Sequence, residues 1–126
     1  MRFKSIITPK APRAIGPYSQ GISCGEWVFV SGQIPLRADG SMAPGGVVSR
    51  TKQCLDNVRE VLHASGLTMK DVVKTTVFMT DLSQFAAMNE VYEQYFKPTF
   101  PARSTVQAAA LPKGADVEIE VIAVRP

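Results

Sequence analysis

Apolar and small residues return every three or four positions between Val47 and about Ser65, at Val47, Thr51, Cys54, Leu55, Val58, Val61 and Leu62. That period predicts a helix with one buried stripe, and Gly66 offers its stop. Val72 to Met79 is instead rich in Val, Thr and Phe and reads as a strand. Asp81 is placed to cap a second helix running from Leu82 to about Phe96, which Pro98 closes. Two last strands, roughly Arg103 to Ala109 and Val117 to Val124, flank the turn-rich stretch Pro112-Lys113-Gly114-Ala115-Asp116. Near the start, Ile22 to Cys24 and Trp27 to Val30 form a hairpin about Gly25-Glu26, with an extra strand at Phe3 to Thr8. Pro35 and the stretch Ala38 to Gly46 break into loop.

The order β-β-α-β-α-β-β argues for an α+β fold in which two helices cover one face of a sheet. The other face is legible in the last strand, where Val117, Ile119, Val121 and Ala123 alternate with Glu118, Glu120, Ile122 and Val124. That second face mixes acids with aliphatic side chains. Self-association would bury it, although an antiparallel sheet can also leave one face in water.

A chain of 126 residues can bury a core as one domain, residues 1–126, without metal or disulfide staples. Its net charge of +3 comes from scattered basic residues with no run of the kind that makes a nucleic-acid patch, so only a weak preference for anionic partners follows. The N-terminal MRFKSIITPKAP lacks the apolar core of a signal peptide, and no segment has the length of a membrane span. A cytoplasmic location and no membrane partner are expected. Cys24 and Cys54 lack zinc-site spacing and read as free thiols.

Arg103 and Thr105 lie two apart on a strand and share a side, with Ser104 and Val106 on the other. A guanidinium beside a hydroxyl suits a carboxylate, because its planar fork gives two parallel hydrogen bonds. If the last two strands pair as a hairpin, Glu118 or Glu120 can approach Arg103, and a structural ion pair is the plainer use of that contact. Asn89 follows Phe85 by four and precedes Tyr92 by three, so an amide stands on the apolar stripe of the second helix and needs a partner, in the core or on a ligand. His63, the only histidine, lies near the end of the first helix and reads as a surface residue. Ser19, Ser31 and Ser104 lack a nucleophile-elbow context, and no phosphate loop or dinucleotide fingerprint occurs, which argues against covalent serine catalysis and nucleotide cofactors.

Six motifs in order, Gly16-Pro-Tyr-Ser-Gln20, Ser31-Gly-Gln-Ile-Pro35, Lys74-Thr-Thr-Val-Phe78 with Asp81-Leu82, Asn89-x-x-Tyr92, Phe100-Pro-Ala-Arg-Ser104 and Val117-Glu-Ile-Glu-Val121, resemble the Rid (YjgF) family of reactive-intermediate deaminases. The match runs from about Ile15 to Arg125. The resemblance implies a chorismate-mutase-like fold, a homotrimer whose sheets form a central barrel, and ligand sites between subunits. It further implies hydrolysis of small 2-imino acids to 2-oxo acids and ammonia, with no cofactor and no metal. In that family Arg103 matches the arginine that grips the substrate carboxylate and Glu118 the acid that activates water. Tyr18, Ser31, Gly32 and Asn89 match pocket residues, and Thr105 stands where many members carry a cysteine. Two other readings accompany the family: an RNA-cleaving translation inhibitor, and a binding or chaperone-like module without turnover. The presence of both Arg103 and Glu118 favours catalysis, since a carboxylate binder needs only the arginine.

Overall fold

The computed structural model describes residues 2–126. Six strands, β1 (Phe3–Ile6), β2 (Gly21–Cys24), β3 (Trp27–Gln33), β4 (Val72–Met79), β5 (Ala102–Gln107) and β6 (Val117–Val124), form one sheet in the order β1-β2-β3-β6-β4-β5. Two helices, α1 (Val47–Ala64) and α2 (Phe85–Phe96), cover one face. This is the expected α+β arrangement of two helices on a sheet.

The helix boundaries follow local chemistry. After Ala64 the amide of Gly66 bonds to the His63 carbonyl at 3.0 Å and that of Leu67 to the Leu62 carbonyl at 2.9 Å, closing α1 with a paired C-terminal motif. Gly66 takes φ of 83°, which a side chain would disfavour. Asp81 does cap the next element, accepting from the Ser83 amide at 2.9 Å, but that element is a single 3-10 turn, Leu82–Gln84, and α2 proper starts at Phe85. All seven stripe positions read from α1 are buried. Asn57 is buried beside them, its amide nitrogen donating to the carbonyls of Ile34 at 3.3 Å and Leu36 at 2.8 Å, and so ties α1 to the loop after β3.

The last two strands do not pair with each other. β4 lies between them: β5 runs parallel to β4 after the crossover through α2, and β6 enters antiparallel between β3 and β4. β5 is therefore an edge strand and ends at Gln107, short of Ala109. The physical reason is the connection. Residues 108–116 contain a 3-10 turn at Pro112–Gly114, with Lys113 at φ of 59° and Gly114 at 69°, and make a crossing loop rather than a tight hairpin turn.

Strand parity divides the sheet. Thr75, Val77, Ile119 and Val121 point into the core under the helices. The opposite face carries Phe29 across from Ile122 and Trp27 across from Val124, with Phe29 43% and Trp27 47% exposed. Glu118 and Glu120 lie on this face across from Phe78 and Thr76. It is the mixed acid and aliphatic face that the last strand predicts, and it is open in the single chain. Neither Cys24 nor Cys54 is in a disulfide, as expected. No helix among the described residues is long and apolar enough to cross a membrane.

Candidate active site

Arg103 lies directly across from Thr75 in the β4–β5 pair, and Thr75 lies across from Val121. The guanidinium therefore emerges on the helix side of the sheet edge, where α2 receives it. Its Nη1 donates to Asn89 Oδ1 at 2.8 Å. Its Cζ stands 4.7 Å from the Tyr92 ring centroid and 5.4 Å from that of Phe85. Residues 85, 89 and 92 fall on one stripe of a helix, so the spacing that singled out Asn89 also brings both rings to the same cation. The Tyr92 hydroxyl is 2.7 Å from Thr75 Oγ1, and both residues are buried. Burial raises the Tyr92 phenol above its ordinary range, against the opposing pulls of the Thr75 hydrogen bond and the Arg103 charge.

A cavity of about 430 Å³ opens beside Arg103, lined by Asn89, Glu90, Tyr92, Glu93, Phe100, Pro101 and Arg103. Among the described residues no acidic side chain forms an ion pair with Arg103. Asn89 occupies Nη1, and Nε and Nη2, which share one edge of the fork, have no protein partner there. That edge is shaped for a carboxylate.

A second cavity, of about 410 Å³, has its lining on other elements: Ile15, Tyr18, Ser31, Gly32, Ile34, Pro112, Glu118 and Glu120. It is built on an irregularity in the β3–β6 pairing, where Val30 meets Val121 but Gln33 meets Ile119, so β3 carries one extra residue. Ser31 is anchored there, its Oγ donating to the Ser19 carbonyl at 2.5 Å and its amide to the Gln20 carbonyl at 2.9 Å. Gly32 lies against the Glu118 carboxylate. Burial, and secondarily the charge of Glu120, raise the Glu118 carboxyl above the ordinary carboxylate range. Tyr18, 49% exposed, accepts a long hydrogen bond of 3.4 Å from the Ile15 amide.

Of the residues singled out in the sequence, the structure thus groups Arg103 with Asn89, and Glu118 with Tyr18, Ser31 and Gly32. It does not bring the two groups together within one chain. Arg103 projects from the helix-covered side and Glu118 and Glu120 from the open one, so the ion pair expected from a terminal hairpin does not form. Thr105 shares the side of Arg103 but lines neither cavity, and its Oγ1 is sealed without a hydrogen-bond partner. His63 is exposed in the last turn of α1 and lines neither cavity. Sequence reasoning missed Phe85, Tyr92 and Thr75 as partners of Arg103, although the Phe85, Asn89 and Tyr92 spacing held the signal for the two rings.

Comparison with known proteins places this geometry. The sequence model of the family described as Endoribonuclease L-PSP matches residues 8–125. The chain is 51% identical over 121 residues to a 2-iminobutanoate/2-iminopropanoate deaminase of Capra hircus, covering 95% of this chain and 88% of that one. It is 49% identical over 125 residues to the protein of the same name from Escherichia coli K12, covering 97% and 98%. The crystal structure of E. coli TdcF with bound serine matches with a TM-score of 0.93 at 48% identity, over 98% of this chain and 99% of that one. That of the yjgF gene product from E. coli gives the same values.

Proposed function

Because the chain belongs to the endoribonuclease L-PSP family, also called Rid (YjgF), we propose that it hydrolyses 2-iminopropanoate, 2-iminobutanoate and the enamine 2-aminoacrylate to 2-oxo acids and ammonia. The observation that carries this reading is the pair of complementary half-sites. One presents the Nε and Nη2 edge of the Arg103 guanidinium, whose Nη1 is held by Asn89, and the other a half-buried carboxylate, Glu118, against a glycine. The relatives named as imino-acid deaminases, and one solved with bound serine, whose carboxylate is of the kind Arg103 suits, support it.

In this mechanism Arg103 takes the substrate carboxylate in two parallel hydrogen bonds, which fixes the C=N carbon and makes attack effectively intramolecular. Glu118 accepts a proton from the water as its oxygen adds to that carbon, and passes that proton to the imine nitrogen, giving a carbinolamine and an ionised Glu118. It then takes the proton of the carbinolamine hydroxyl as the 2-oxo acid's carbonyl forms and the C–N bond breaks, and delivers it to the departing amine nitrogen, which leaves as ammonia. A carboxyl raised by burial serves both halves better than an ordinary one, being a stronger base when ionised and still able to bind a proton nearer neutrality. Ser31 and Gly32 shape the wall behind Glu118, Tyr18 borders it, and Asn89 steadies Arg103. Thr105 lies outside this core of the site in the single chain.

Since Arg103 and Glu118 project from opposite faces, one site holding both takes Arg103 from one copy and Glu118 from the next. A homotrimer in which the β5 edge of each copy meets the open β3–β6 face of its neighbour would assemble three such sites and cover the Phe29 and Ile122 surface. The proposal includes a cytoplasmic setting and a small-molecule partner rather than a nucleic acid. The test is the rate of ammonia release from 2-aminoacrylate generated in situ by a pyridoxal-phosphate-dependent serine dehydratase. The rate should rise above the spontaneous one in proportion to added protein and fall back with Arg103→Ala; an unchanged rate at high protein overturns the reading.

A further inference from the structure

We propose that Phe85 and Tyr92 are positioning residues of the carboxylate site, holding the Arg103 guanidinium in its binding orientation before substrate arrives; this rests on the imino-acid reading above. Arginine has a long, flexible side chain, and an unrestrained fork on an edge strand would lose much of its freedom on meeting a carboxylate. Here one helix stripe restrains it in three ways. Asn89 accepts from Nη1, and the rings of Phe85 and Tyr92 lie 5.4 and 4.7 Å from Cζ, where their negative faces attract the cation. Tyr92 is itself tied down, through its hydroxyl at 2.7 Å from Thr75 Oγ1. Thr75 is the residue paired with Arg103 across the β4–β5 ladder. The ring is thus anchored to the strand pair that carries the arginine, and the stack keeps its register with the backbone below. What remains unheld among the described residues is the Nε and Nη2 edge, whose two parallel donors suit a carboxylate.

The two rings differ in a way that makes the idea testable. Tyr92 is 4% exposed, so removing its ring would also open a cavity in the core, whereas Phe85 is 39% exposed. Phe85→Leu removes one restraint at little structural cost, and Tyr92→Phe keeps the ring while deleting its anchor to Thr75. The first readout is the Nε–Hε resonance of Arg103, which ring currents should displace upfield in the wild type, and the second is the dissociation constant for pyruvate, an unreactive 2-oxo acid. Phe85→Leu should move the resonance toward the free-arginine position and weaken pyruvate about tenfold, the scale of a partly desolvated cation–π contact. Phe85→Tyr should restore both, and Tyr92→Phe should broaden the resonance with a smaller loss of affinity. Unchanged resonance and affinity in Phe85→Leu overturn the proposal, as does a wild type that binds no pyruvate. If both readouts respond while ammonia release stays at the spontaneous rate, the positioning role stands and the hydrolytic reading falls.

Discussion

A methyl group added at Gly32 would lie 2.7 Å from Oε2 of Glu118 and 2.9 Å from its carboxyl carbon. The contact joins the extra residue of β3 to the acid of β6, and it lets the carboxylate rest directly on the backbone. Because the obstacle is the free end of a flexible side chain, Gly32→Ala should displace the carboxylate rather than disrupt the sheet. Stability should change by less than about 1 kcal/mol, as for substitutions that leave the core intact. Turnover of 2-aminoacrylate should fall by about 10²-fold, the scale of a misplaced general base. Thermal unfolding and ammonia release, measured on one preparation, check the pair of outcomes. A folded Gly32→Ala variant with wild-type turnover would show that the position of Glu118 is immaterial.

Much of this arrangement was readable in the residues because local chemistry decided it. The stripe of α1, the Asp81 cap and the two-residue alternation in β6 each depend on a few neighbours, and each appears in the structure. The neighbour of β5 depends instead on which crossing the whole chain makes, and alternation along a strand carries no record of that. A hairpin would have set Arg103 beside Glu118 or Glu120; the intervening β4 and the parity of the ladders set them on opposite faces. The extra residue at Ser31 and Gly32 was likewise invisible, since it exists only relative to the β6 register. The burial of Asn57 was not legible either, because its partners, the carbonyls of Ile34 and Leu36, belong to a distant loop.

Titration of Glu118 gives a second expectation. Burial, then the neighbouring charge of Glu120, lift its carboxyl above the ordinary 4.5. The folded chain therefore keeps this proton to higher pH than the unfolded chain does. Its contribution to stability is most favourable below the ordinary value, falls as pH rises from there to the raised value, and is constant beyond. Glu118→Gln should flatten that part of the stability profile, followed by denaturant unfolding across the acid range. Activity adds a sharper check, because the ionised base is required: the acid limb of kcat/KM should lie above the ordinary carboxylate range. Glu120→Gln removes the like charge, so it should move that limb to lower pH while retaining turnover. Lost turnover in Glu120→Gln with full activity in Glu118→Gln would assign the water-activating role to the other acid.

The opposed faces of Arg103 and Glu118 give the last expectation. If each site draws its arginine from one copy and its acid from the next, Arg103→Ala and Glu118→Ala should each be inactive alone yet active when denatured together and refolded as a mixture. Under random assembly of equal amounts, about half of the interfaces have an intact arginine on the donating side. About half of those have an intact acid on the receiving side, so roughly one quarter of wild-type activity should return in a closed ring of identical subunits. Light scattering should give about three chain masses for wild type, both variants and the mixture, which separates lost chemistry from lost assembly. A site completed within one chain gives a different result: every mixed trimer would carry only broken sites, and activity would stay at the level of the single variants. Trimers of the expected mass with no recovered activity would therefore sink the shared site, whatever each residue contributes on its own.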